Sequence, residues 1–291
     1  RYRNTRDFAK FPNYGRAVLE HPRQPALLHP KFYRFDNVFD AVRSSDILLY
    51  YPYHRFAHFT EFVRQAAYDP NVTRIAICIY RVAPHSRILH SLTDAVQNGK
   101  HVTVMVELQA RFDEEANIEW AKELTEAGVH VSFGIHGLKV HSKLVLVHRR
   151  EGITERRYAV IGTGNFHEGT AQVYTDFSLF TCDNAITADV DNVFNYLEQP
   201  YRQTKFRELM VAPVTMRQRL TDYIEYEIEQ ALQGQPAAIF IKVNNLVDDS
   251  LIVQLYRASR AGVKIRAIVR GMCALRAGVK DLSENIEVRS I

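Results

Sequence analysis

The segment Ala237–Met272, AAIFIKVNNLVDDSLIVQLYRASRAGVKIRAIVRGM, runs parallel to RIAICIYRVAPHSRILHSLTDAVQNGKHVTVMVEL, Arg74–Leu108. Each copy reads as a β-rich run, a polar loop, a stretch with helical spacing, a glycine and a second β-rich run. Gly262 stands where Gly99 stands, and Arg270 falls where Glu107 falls. A strand–helix–strand unit repeated in tandem restricts the chain to two α/β domains in succession. The join is expected near LEQPYRQTKF, around residues 200–210.

The first copy sits in a longer alternation. TRIAICIYR (Thr73–Arg81) is a strand, and RILHSLTDAVQNG (Arg87–Gly99) a helix with apolar positions at Ile88, Leu89, Leu92 and Val96. HVTVMVELQ is a second strand, NIEWAKELTEAG a helix stopped by Gly128, VHVSFG a third strand, KVHSKLVLV a fourth and RYAVIGTGN a fifth. This succession predicts a mostly parallel or mixed sheet with helices on its faces. Upstream, ILLYYPYH gives a strand terminated by Pro52, and Phe59–Ala67 a short amphipathic helix. Residues 1–27 carry turn chemistry without sustained periodicity.

Composition narrows the class. With 46% hydrophobic and 24% charged residues the chain is globular, and 37 basic against 33 acidic side chains do not call for nucleic acid. A local basic cleft for a polyanion is compatible with that balance. Cys78, Cys182 and Cys273 form no CxxC pair and read as small buried residues of a reducing compartment. No apolar run reaches the roughly 20 residues that span a bilayer. A cytoplasmic setting is expected. The chain opens on RYRNTRDF without methionine and stops at IEVRSI as another strand begins, so it reads as a piece of a longer protein.

Chemistry concentrates in GLKVHSKLVLV. If KVHSKLVLV is a strand, His141 and Lys143 share one face and Ser142 points to the other. An imidazole beside an ammonium suits an anion: the lysine neutralises charge, and a neutral ring nitrogen can attack phosphorus. The plain alternative is a histidine at a sheet end with a snorkelling lysine. After the next strand, IGTGNF closes a tight loop whose backbone N–H groups, with the Asn165 amide, suit phosphate. HxK followed by GxxN resembles the phospholipase D superfamily, in which the histidine attacks phosphorus. The aspartate of that pattern is absent, since LVLVHRR occupies its place. Arg81 in IYRVA and Arg111 in VELQARFDEE each follow the C-terminal end of a predicted strand, the ligand-binding edge of open α/β sheets. Both suit phosphate oxygens.

Together with LYYPYH, QVYTDFS and VRGMC, these motifs resemble bacterial polyphosphate kinases of the histidine-phosphorylating type, from FPNY through VRGMC. The resemblance implies two tandem phospholipase D-like α/β domains, at 28–208 and 209–291, the second incomplete, behind the tail of a helical domain at 1–27. It implies reversible transfer of the ATP terminal phosphate to polyphosphate through a phosphohistidine at His141, with Mg2+. Arg81 and Arg111 take the family's magnesium–phosphate positions. A guanidinium offers no lone pair, so they read physically as phosphate clamps, with Glu107 or Asp113 as speculative carboxylate neighbours. Tyr174 and Arg270 take nucleotide-binding positions. The partners implied are ATP or ADP and polyphosphate, with a homo-oligomer and peripheral membrane association possible for the intact enzyme. A second histidine and an adenine-binding domain lie outside this chain in the family, so the fragment alone is expected to be inactive. His167 in GNFHE is expected to face solvent. The competing activity is a phosphodiesterase or nuclease using the same HxK and GxxN geometry on a diester.

Overall fold

A computed structural model describes residues 8, 12, 14–22, 24–80, 86–107 and 114–291. The chain divides into two compact units, Arg1–Gln203 and Thr204–Ile291.

The first unit is built on a seven-stranded sheet: β1 (Ile47–Tyr51), β2 (Val72–Ile79), β3 (His101–Val106), β4 (His130–Ser132), β5 (Lys143–Glu151), β6 (Thr154–Gly162) and β7 (Asp176–Thr181). Its order is β1-β7-β6-β5-β2-β3-β4. The sheet is mixed. β2, β3 and β4 are parallel, joined by α4 (Arg87–Gln97) and α5 (Glu114–Glu126). β5, β6, β7 and β1 are antiparallel to their neighbours, and β5 joins the halves by pairing antiparallel with β2. The reason is connection length. The β5–β6 hairpin turns through Gly152, at φ +63°, which leaves no room for a crossover helix.

The odd-numbered strand residues Ile75, Ile77, Ile79, Val145 and Val147 enter one core with Phe39 and Val42 of α2 (Val38–Ser44) and Phe59 and Phe62 of α3 (Ala57–Tyr68). Ile88 and Leu92 of α4 and Trp120 of α5 join them. The even residues of β5 face α6 (Asn184–Glu198), where His148 lies between Glu155 and Asp191. Five short residues, Pro30–Arg34, form α1. Helix α4 starts at a Ser86 cap, whose side chain accepts from Ile88 N at 3.2 Å. It stops at Gly99, φ +76°, a left-handed position that favours glycine.

The second unit repeats the plan. α7 (Met216–Leu232) and α8 (Asp249–Arg260) pack on a parallel three-stranded sheet, β8 (Ala238–Val243), β9 (Lys264–Val269) and β10 (Ile286–Ser290), ordered β10-β9-β8. Its core contains Ile224, Ile252, Leu255, Ile265 and Val269. Gly262, φ +101°, stops α8 as Gly99 stops α4. The two copies also share a backbone bond past their second strand. Glu107 N donates to Ile79 O and Arg270 N to Val243 O, each at 3.2 Å. The repeat read from sequence is a repeat of structure.

Of the cysteines, all unpaired as expected, only Cys78 meets the expectation of burial. Cys78 is buried, Cys182 half-buried and Cys273 exposed, and all three are free thiols. Among the described residues no helix is long and apolar enough to cross a membrane.

Candidate active site

The C-terminal ends of β1, β2, β3 and β6 and the N-terminal ends of β5 and β7 meet along one edge of the sheet. Val140, His141 and Ser142 lie just outside it. Strand β5 begins at Lys143, four residues later than the sequence reading placed it. The physical cause is a competing acceptor: Val140 N donates to Glu107 Oε2 at 2.6 Å rather than to a neighbouring strand. The strict alternation expected for His141 and Lys143 therefore does not apply. His141 is exposed, while Lys143 is buried at 6% exposure in its place opposite Gly162.

The two side chains still belong to one cluster. The His141 ring meets the Tyr80 ring edge-on at 5.1 Å between centroids. The Lys143 ammonium lies 5.2 Å from the same Tyr80 centroid and the Lys139 ammonium 5.5 Å from it. Lys143 Nζ donates to His141 O, tying the lysine to the backbone of the histidine. Burial, then the ammonium charges of Lys143 and Lys139, hold the His141 pKa below its ordinary value, against a smaller opposing effect of Glu107. The imidazole is thus neutral at neutral pH. Burial also lowers the Lys143 pKa to about 8, opposed by Cys78 and Asp176. Ser142 turns elsewhere, its hydroxyl 3.4 Å from Cys78 Sγ.

The GTGN loop follows β6 on the same edge. Gly162 is pressed between Gly164 O, the Phe166 ring and Lys143 Cβ, all 3.3–3.4 Å from where a Cβ would stand. A Cβ on Gly164 would lie 2.2 Å from Asp176 Oδ2. Glycine there lets the loop close onto that carboxylate. Thr163 Oγ1 donates to Asp176 Oδ1 at 2.9 Å and accepts from Phe177 N at 2.9 Å. Phe166 stacks on Phe59 of α3 at 4.2 Å, which fixes the far side of the loop. Asn165 Oδ1 is buried with no hydrogen-bond partner among the described residues, an acceptor waiting for a donor. His167 builds the turn: its Nδ1 accepts from Gly169 N at 3.0 Å and Thr170 N at 3.3 Å.

His141, Lys143 and Asn165 are therefore brought to one edge of the first unit. Tyr174 is also in that unit, 54% exposed, two residues before β7. Arg270 is in the second unit, where its Nε donates to Asn244 Oδ1 at 2.9 Å. Arg81, Arg111 and Asp113 lie outside the described residues; the strands that precede the two arginines, β2 and β3, both end at this edge. Sequence reasoning missed two contributors. Tyr80 sat unassigned beside Arg81 in IYR, and Asp176 sat inside the quoted motif QVYTDFS. Asp176 supplies from β7 a carboxylate near Lys143. Only the sheet order, which sets β7 two strands from β5, could have found it.

Glu107 is buried, and its Oε2 is committed to Val140 N. Asp176 is likewise engaged by Thr163. Among the described residues no group of three or more metal-ligating side chains converges.

The family description "Polyphosphate kinase C-terminal domain 1" matches residues 37–203, and "Polyphosphate kinase C-terminal domain 2" matches 209–291. The chain is 58% identical over its full length to a polyphosphate kinase of Vibrio parahaemolyticus, covering 42% of that protein. It is 54% identical to the polyphosphate kinase of Escherichia coli K12, covering 43% of it. A crystal structure of polyphosphate kinase from Porphyromonas gingivalis superposes with a TM-score of 0.89 at 36% identity, over all of this chain and 48% of that one. The chain thus spans about two fifths of the length of the curated relatives it matches. With both of its units matched in order by that family's two C-terminal domains, the chain belongs to the polyphosphate kinase family.

Proposed function

We propose that the intact protein moves the terminal phosphate of ATP reversibly onto inorganic polyphosphate through a phosphohistidine at His141. The observation that carries this reading is an exposed imidazole whose pKa is depressed, tied through its own carbonyl to a buried lysine. The Nε2 lone pair of His141 attacks the γ-phosphorus, the bond to the β-phosphate oxygen breaks, and ADP leaves. A terminal oxygen of polyphosphate then attacks the phosphorus, the P–N bond breaks and the imidazole is restored. Lys143, with Arg81 and Arg111, offsets charge on the transferring oxygens. The Asn165 amide, its oxygen unpartnered, orients a donor at the loop. Tyr174 and Arg270 take the nucleotide. Mg2+ carried on ATP would lower the charge of the phosphate tail that Lys143 meets.

The test uses the full-length protein with γ-labelled ATP and Mg2+. An acid-labile, base-stable label is expected on wild type and absent from His141→Ala. No label on wild type, together with hydrolysis of a model phosphodiester, would instead establish the phosphodiesterase reading.

A further inference from the structure

Asn117 of α5 is 1% exposed, and each polar atom of its carboxamide has a partner. Its Nδ2 donates to Tyr80 O at 3.2 Å and to Glu107 O at 2.9 Å, while its Oδ1 accepts from Trp120 Nε1 at 3.0 Å. We propose that Asn117 is a positioning residue for the transfer, a clamp that ties the ends of β2 and β3 to α5 and so sets the two residues against which His141 is placed. The inference rests on the function proposed above and names what holds its nucleophile in place.

Tyr80 and Glu107 directly follow the last residues of β2 and β3. The Tyr80 ring meets the His141 ring edge-on, and Glu107 Oε2 holds Val140 N at 2.6 Å, one residue before the histidine. Arg81 comes next after Tyr80, and Arg111 four residues after Glu107. Both segments that carry the arginines therefore leave from carbonyls bonded to this one amide. Its orientation is determined. Turned over, the amide would set its oxygen against two carbonyl oxygens and its NH2 against the indole N–H. Trp120, one turn along the same helix, locks it with its single donor. A buried amide with these three bonds made is costly to disturb. The second unit joins the same point by main chain: Asn244, which stands where Tyr80 stands, accepts at its carbonyl from Gly271 N at 2.7 Å. In the first unit a helix side chain reaches the corresponding carbonyl, which makes the placement of the strand ends depend on α5. Asn117 acts on substrate only through Tyr80 and Glu107.

The experiment uses the full-length protein with Asn117→Leu, Asn117→Asp, Trp120→Phe and, as a control, Ala121→Gly, also buried in α5. Asn117→Asp keeps the shape and the acceptor for Trp120 but turns both donors into acceptors facing carbonyl oxygens. Labelling by γ-labelled ATP and Mg2+ in a single turnover is expected to slow about ten- to a hundredfold in both Asn117 variants, with KM for ATP unchanged within about twofold. The acid limb of the labelling rate, which His141 sets, moves up toward 6.5, the ordinary histidine value, as the ring leaves the two lysines. Trp120→Phe slows labelling less and adds nothing in the Asn117→Leu background. Ala121→Gly lowers Tm without slowing labelling. Amide exchange at Val140 should quicken about tenfold in Asn117→Leu, a reading independent of the chemistry. Wild-type rates in both Asn117 variants, a loss confined to KM, an equal loss in Ala121→Gly, or unchanged exchange at Val140 would each overturn the clamp. A wild type that protects Val140 and never labels sinks the histidine mechanism, and the exchange then decides the clamp by itself.

Discussion

Lys143 is a charged side chain held where an apolar one packs better, and Lys143→Met isolates that conflict. At 6% exposure its ammonium has lost most of its water, and burial brings its pKa from the ordinary lysine value of 10.5 to about 8. At about 1.4 kcal/mol per pH unit, holding the charged form in the folded state costs about 3 kcal/mol. Because the folded pKa is depressed, the cost is fully present below pH 8. The unfolded chain binds the extra proton between pH 8 and 10.5, so this contribution makes stability rise with pH across that window. Methionine has similar length and no charge. It forfeits the bond from Nζ to His141 O, worth about 1 kcal/mol. Lys143→Met is therefore expected to stabilise the full-length protein at pH 7 by about 1–3 kcal/mol, raising Tm by roughly 2–4 °C for each kcal/mol. The gain shrinks toward pH 10.5. The phosphotransfer rate falls about a hundredfold or more as the transferring oxygens lose their cation. Thermal melts at pH 7 and pH 10, with steady-state transfer at pH 7, decide it. A lower Tm at pH 7, a gain independent of pH, or undiminished transfer would refute the account of Lys143 as a strained functional charge.

Gly164→Ala drives a Cβ to 2.2 Å from Asp176 Oδ2, and is expected to cost about 1–3 kcal/mol as overpacking. Adding Asp176→Ala should return most of that loss in a double-mutant cycle, and additive effects would show that the two residues do not press on each other. His58, its pKa lowered to about 4 by burial and then by His29, His54 and Arg55, accepts from His29 N at 2.9 Å and so clasps the segment that carries α1. The unfolded histidine takes a proton first, so stability falls as pH drops from 6.5 toward 4. Hydrogen exchange of residues 27–34 should quicken over that range, and His58→Gln, which keeps an acceptor without titrating there, should flatten the dependence. Exchange that accelerates equally in the variant would remove His58 from the cause.

The tandem α/β plan was legible because glycines and apolar periodicity are local. Gly99 and Gly262 end helices in both copies, and IEVRS forms β10 as its pattern indicated. The antiparallel half of the sheet was less legible. Alternation cannot report which strand lies beside which, and β7 was seen only as a motif. That His141, Lys143 and Asn165 come to one edge was readable from their spacing about two successive strands, β5 and β6. The departure of His141 from the strand was not readable, since it depends on Glu107, thirty-three positions away from Val140 in sequence, taking the Val140 amide. The sequence named the residues on the edge and could not supply the long-range contact that bends the chain there.

The strand order has a consequence for biogenesis. β1 is made first, yet its sheet partner β7 is 133 residues later at Ile47↔Phe180. β2 likewise waits for β5, with Ile77 opposite Val145. Long-range pairings of this kind close slowly. A ribosome must therefore emit nearly the whole first unit before the imidazole of His141 has walls around it, and until then a nascent chain displays the motif without the edge that positions it.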